Sequence, residues 1–263
     1  MCTAAVLCGC TSLDDITAWI GGADPRVLAA LGCRRDALGV LTPPHPETVT
    51  RVLTDLGAQG LADHAGVFLA CRAGLGPVVL PISAPGWLPA IAVDGKAVRG
   101  AVGADGMIPY LLAAATHTDS AVIAERLIGP KTNEVPEFAP LLRELNRRVP
   151  LSGHVITTAV AALCITSLSA REAAPEHLAG YVRGHWSIEN KIHWVRDVTW
   201  REDTSRVRTA SRPRIMVTLR NLALGLIRQA GHTKIAATLR KIKHDPDLLL
   251  AILGLKPTPQ TTS

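Results

Sequence analysis

Apolar positions recur at three- and four-residue spacing through much of the first 70 residues. "TSLDDITAWI" (11–20) opens on hydroxyl residues and two Asp before its apolar positions, the start signal of a helix. "PRVLAALG" (25–32) predicts a short helix stopping at Gly32. Behind Pro46, the residues Val49, Val52, Leu53 and Leu56 trace one helical stripe within 45–70. The period then changes. "LPAIAVDGKAVRGA" (88–101) reads as a strand running into a turn at Asp94-Gly95, "MIPYLLAAATH" (107–117) as the returning strand, and "AVIAERLIG" (121–129) as a third. "NEVPEFAPLLRELN" (133–146) predicts a helix with Glu134 and Glu137 in its first turn, and "SGHVITTAV" (152–160) a further strand. From Ala174 onward the pattern is helical throughout. "GPVVLPISAPGW" (76–87), rich in Pro and Gly, reads as a linker.

Composition narrows this picture. No run reaches the ~18 uninterrupted apolar residues that a membrane span needs. The six cysteines form no CxxC pair, which argues against a zinc site and for scattered thiols in a reducing cytoplasm. "AVLCGC" near the start lacks the basic and apolar regions of a secretion signal. Net charge is +6, but it is uneven. Residues 181–245 hold 14 Lys and Arg against five Asp and Glu, whereas residues 1–180 hold 13 against 16. A local excess of that size fits a polyanionic partner as well as a solvated helical face.

The densest chemistry lies in "GHWSIENKIHWVRDVTWRED" (184–203), which holds three of the five tryptophans in a chain that is 3% aromatic. On a helix, Ile188, Ile192 and Val195 share one apolar stripe. His185, Glu189, His193 and Arg196 share another, where a carboxylate flanked by imidazoles suits a divalent cation or a nearby phosphate. Trp186 and Trp194 flank it and are placed to stack on bases. An acid at a strand end, Asp94, together with a helical Glu is how two-metal phosphoryl-transfer sites are built.

"AVDGKAVRGA", "KTNEVPEFAPLLREL", "CITSLS" and "VRGHWSIENKIHWVRDVTWREDTSRVRTASRPRIMVTLRNLALGLIR" resemble the DDE transposases of bacterial insertion sequences, in particular the group of H-repeat-associated proteins. The resemblance implies an α/β fold: a truncated RNase H-like mixed sheet with packed helices (88–263), preceded by a small helical transposase-associated N-terminal domain (1–75, its start expected to be missing) and the linker 76–87. It implies Mg²⁺ or Mn²⁺ as cofactor, with Asp94 and Glu189 as catalytic metal ligands. Lys96, Arg99, Arg183, His185, Trp186, Asn190, His193 and Arg196 become candidate DNA contacts, with Trp194 beside them. Double-stranded insertion-sequence ends and a second copy of the chain are the expected partners, in a cytoplasmic, nucleoid-associated protein.

One departure stands out. The family's middle Asp follows its fourth strand, and that position falls here on Ala159. "CITSLS" then follows at once, so a block is expected to be deleted near 159–163. Asp105 and Asp119 read as turn residues, and Asp197, Glu202 and Asp203 lie beyond Glu189, so none replaces a strand-borne ligand. The expectation is a DNA-binding remnant defective in cleavage. A non-catalytic fragment that interferes with a full-length transposase is the alternative, and sheet edges left bare by the deletion would favour aggregation.

Overall fold

The computed structural model describes residues 1–74, 90–102, 106–129, 134–148, 174–205, 207 and 211–256. The linker 76–87, the strand expected at 152–160, Ala159 and the deletion site all lie outside these residues, as does Asp105.

Five helices come first: α1 (Cys2–Leu7), α2 (Leu13–Gly22), α3 (Pro25–Ala30), α4 (Pro46–Leu56) and α5 (Ala58–Arg72). The start of α2 follows its sequence signal. The Ser12 hydroxyl accepts from the Asp15 amide, and the Asp15 carboxylate accepts from the Ser12 amide, a reciprocal cap. The single stripe expected over 45–70 is two helices, because Gly57 takes φ +71° between them, which few other residues tolerate.

Three strands follow, β1 (Ile91–Ala97), β2 (Tyr110–Thr116) and β3 (Val122–Ile128), paired antiparallel in the order β1-β2-β3. The turn expected at Asp94-Gly95 is not there. Asp94 pairs with Ala113 and Gly95 with Leu112, so β1 runs on to Ala97 before the chain reverses. Both residues remain in the ladder because β2 extends far enough to pair with them, a non-local contact that overrides the local turn preference of Asp-Gly.

Helix α6 (Val135–Arg148) comes next, with Glu134 just before its first residue. The C-terminal part comprises α7 (Pro175–Ile188), a wide π turn (Glu189–His193), α8 (Trp194–Trp200), α9 (Arg212–Gln229), α10 (Ile235–Ile242) and α11 (Pro246–Leu253). Strand alternation sends Ala92, Ala113 and Ala115 to the face packed with Ile188 and Ile192. Val93, Leu112 and Ala114 face the other way, toward Leu141 and Leu145 of α6. The small side chains of β2 let helices lie close on both faces. The first helices share this core: Ala4, Val6 and Leu7 of α1 belong to one buried cluster with Trp200, Ile215 and Leu219.

Helix α5 touches the sheet most closely at Gly66, where a Cβ would sit 2.1 Å from the Ile123 carbonyl oxygen. Backbone on both sides leaves nothing flexible to move aside. Gly66→Ala is therefore expected to cost about 1–3 kcal/mol. Chemical denaturation would show this as a lowered midpoint at unchanged slope, and an unchanged midpoint would contradict the close approach.

Candidate functional site

Asp94 lies on the same face of β1 as Ala92, toward the long helical segment 175–200, and α7 packs against this strand. Its carboxyl is pushed above the usual range by burial, while the Gly95 amide and nearby His185 pull it back. The helix is not regular where it passes Asp94. The Trp194 amide donates to the Glu189 carbonyl five residues back, which widens one turn. Ile188, Ile192 and Val195 all remain buried, as their spacing predicted. The expected polar stripe divides: His185 and Glu189 are exposed, whereas His193 and Arg196 face inward.

The wide turn sets His193 Nδ1 3.2 Å from Glu189 Oε2, and it lies 3.7 Å from Asp94 Oδ2. One ligand atom from each of Asp94, Glu189 and His193 falls within 4.8 Å of the others. His193 is 2% exposed. Burial lowers its pKa to about 3, aided by the charges of Arg196 and Lys96, so the ring is neutral at pH 7 and keeps a lone pair. Its Nε2 is buried without a hydrogen-bond partner among the described residues. Two carboxylates and a neutral imidazole are a donor set for a divalent cation such as Mn²⁺. The residues present therefore fit the metal that the sequence resemblance implies.

The surrounding charges are arranged less simply than the helical projection suggests. Lys96 is mostly buried and forms an ion pair with Asp197, with Asp203 3.8 Å away, and Arg99 lies 3.5 Å from Asp203. Arg196, expected to face a phosphate, is buried instead: its Nη2 is 3.1 Å from Glu202 Oε1, and its Nη1 donates to Asn221 Oδ1 at 2.9 Å. It turns inward because the widened turn carries it to the apolar side, where Glu202 supplies the countercharge. Arg183, His185 and Asn190 are exposed, Asn190 bonding back to the Trp186 carbonyl at 3.2 Å. Trp186 and Trp194 are 66% and 59% exposed, so neither serves as core filler. Further along, Arg240, Lys241 and Lys243 are exposed at the end of α10.

Two groups carry more than their sequence context signalled. Glu202 is buried between Arg196 and Arg220, the latter 3.2 Å away. No local pattern announces it, because both partners are brought in by the fold. Glu134 lies against Gly95, next to Asp94, where a first-turn helical acid was expected. Asp119 sits in the turn between β2 and β3, as predicted, and accepts from the Gln229 side chain at 2.8 Å.

The mixed α/β fold thus brings a strand-borne Asp and a helical Glu together. Residues 141–226 match the family described as transposase DDE domain. The chain is related to the DDE transposases of bacterial insertion sequences, the H-repeat-associated proteins among them. It is 34% identical over 67 residues to "Putative transposase YncI" of Escherichia coli O157:H7, covering 26% of this chain and 17% of that one. It is 27% identical over 89 residues to "H repeat-associated putative transposase YhhI" of Escherichia coli K12, covering 33% of this chain and 24% of that one. The matched segments thus span no more than a quarter of either relative. No solved structure matches the chain. Among the described residues, no helix is long and apolar enough to cross a membrane.

Proposed function

We propose that the chain is a transposase-family protein that binds DNA without cutting it, built on a shortened RNase H-like core with a helical N-terminal region over 1–75. The convergence of Asp94, Glu189 and His193 supports this reading most directly, set beside Ala159 at the position of the third acid. Asp94 and Glu189 would hold Mg²⁺ or Mn²⁺, with His193 facing both. A divalent cation held there would supply charge neutralisation beside a DNA phosphate. Each side chain has a distinct task. The β1 backbone fixes Asp94, the wide turn aims Glu189, and buried His193 turns its Nδ1 toward both carboxylates. Arg183, His185 and Asn190 are exposed beside them for the phosphate backbone, with Arg99 at the far side and Trp186 and Trp194 open to a base or sugar. Lys96 and Arg196 act through acids of the protein, holding the site rather than the DNA. A missing ligand in such a site costs more than the ~10²–10³ in rate that one lost electrostatic contact costs.

Two measurements on purified protein test this. Binding to duplex DNA carrying insertion-sequence ends should weaken steeply with salt, by about −0.9 in log-log slope per phosphate contacted. Arg183→Ala should flatten that slope by about one. Salt-independent binding, or none, would remove the DNA reading. In a nicking assay with Mg²⁺ or Mn²⁺ no product is expected, and cleavage that Glu189→Ala abolishes would overturn the catalytic defect. The outward tryptophans also favour a second reading, a non-catalytic fragment that occupies DNA ends or pairs with a full-length transposase. Inhibition of such a transposase by added chain, lost on Trp186→Ala with Trp194→Ala, would support it.

A further inference from the structure

We propose that helix α10 carries a second contact surface for the backbone of duplex DNA, formed by Lys234, Arg240, Lys241 and Lys243 and separate from the Asp94–Glu189–His193 site. The inference rests on the DNA-binding reading above and names a further part of the chain that makes that binding.

Helix α10 is anchored on one side and open on the other. Ile235, Thr238, Leu239 and Ile242 are buried, and the helix packs against α8 and α9. That pattern turns Lys234, Arg240, Lys241 and Lys243 outward, and all four are exposed. Ala237, Arg240, Lys241 and His244 follow one another at three- and one-turn steps of the same helical face and line one open groove with Asp245. The small side chains of Ala236 and Ala237 leave room for a ligand's backbone to come close. Among the described residues lining the groove Asp245 is the only acid, and its carboxylate is engaged, accepting from the Leu248 amide at 3.0 Å to cap α11.

Charge left over sets this surface apart. Elsewhere cations are matched within the fold: Lys96 by Asp197, Arg126 by Glu137, and Arg196 and Arg220 by Glu202. Among the described residues, none of Lys234, Arg240, Lys241 and Lys243 has a carboxylate within ion-pair distance. Folding does not call for all of them. Arg240 and Lys241 lie in the last turn, where they favour the helix dipole, but Lys234 stands at the opposite end, where a cation opposes it. From Lys234 to Lys243 the helix rises about 14 Å at ~1.5 Å per residue. One strand of a duplex carries a phosphate every ~3.4 Å along its axis. Four cations over that length are too spread for one small anion and suit a run of backbone phosphates.

The test is binding of the whole chain to a fluorescent duplex, titrated at several salt concentrations. Arg240→Ala, Lys241→Ala and Lys243→Ala combined should flatten the log-log salt slope by about 2–3, since each phosphate contact contributes about 0.9. The loss should be the same on insertion-sequence ends and on unrelated duplexes, as for any phosphate contact. All three residues are exposed, so the melting temperature should stay that of the unaltered chain. Arg240→Lys with Lys241→Arg and Lys243→Arg keeps the charge and should keep the slope. Arg51→Ala, which removes an exposed cation of α4, should leave it unchanged. If the combined alanine variant binds with the unaltered slope while Arg183→Ala flattens it, the inference is overturned and the DNA reading stands. If the unaltered chain does not bind duplex at all, the DNA reading fails, and this inference falls with it. Phosphatidylserine vesicles bound in preference to duplex, and released by the combined alanine variant, would also overturn it by assigning the surface to a membrane.

Discussion

Glu202→Ala is expected to destabilise the protein by about 3–5 kcal/mol, the usual cost of leaving buried charge unpaired. Glu202 is 1% exposed and stands between two guanidinium groups, Arg196 at 3.1 Å and Arg220 at 3.2 Å. Arg220 also donates to the Thr11 carbonyl at 3.0 Å, and Arg196 donates to Asn221. Asn221 in turn bonds to Glu125, a fully buried acid on β3 that also accepts from Thr218 at 2.9 Å. Removing Glu202 leaves two cations in low dielectric without the carboxylate they share. For a chain of this size the melting temperature should fall on the order of 10 °C. Changing Arg196, Glu202 and Arg220 together to apolar residues of similar volume should recover much of the loss, because the desolvation cost goes with the charges. By contrast, Arg147→Ala, which removes one partner of an exposed pair with Glu144, should change stability by no more than about 1 kcal/mol. A Glu202→Ala melt that matches the unaltered chain would show that this network is open to solvent.

The second large effect is expected at Trp200. This side chain is 1% exposed, and its indole N–H donates to the Val6 carbonyl at 3.3 Å. It closes the core between the end of α8 and the first helix. Trp200→Ala should cost about 3–5 kcal/mol, the range for deleting a large buried aromatic ring. The form of the transition is as informative as its size. Because α1 shares a core with Trp200, Ile215 and Leu219, near- and far-ultraviolet signals should shift together in one transition. If the loss were confined to an early, separate transition, residues 1–75 would be melting as an independent unit.

The two predictions concern different parts of one arrangement. Arg196 lies three residues past His193, and Trp200 four residues further, so the helix that carries Glu189 is held at its far end by a buried ion network and a buried ring. The carboxylates near Asp94 repel one another, and the fold must hold them together against that repulsion. The rigid support lies just beyond the metal-facing turn, where burial makes each contact costly to break.

Much of this was legible in the residues. Hydroxyl and acidic starts located α2, apolar runs broken by turn residues located the three strands, and the spacing of Ile188, Ile192 and Val195 correctly predicted the buried side of the site helix. Asp94 and Glu189 could be paired in advance because their sequence surroundings resemble a known family. Asp-Gly at 94–95 misled, since its turn preference is local and small beside a full ladder of strand pairing.

What the sequence determined by itself was periodic or local: which segments are helix or strand, which side of each is apolar, and where the charge collects. Tertiary structure decided which charges remain available. Lys96 and Arg196 looked like DNA contacts and are paired with acids, His193 became a buried neutral ring, and Glu134, forty positions from Asp94, came to rest on Gly95. The physical reason is that Coulomb interactions and desolvation depend on distance and burial in space, and no one-dimensional spacing encodes either for residues brought together from separate elements.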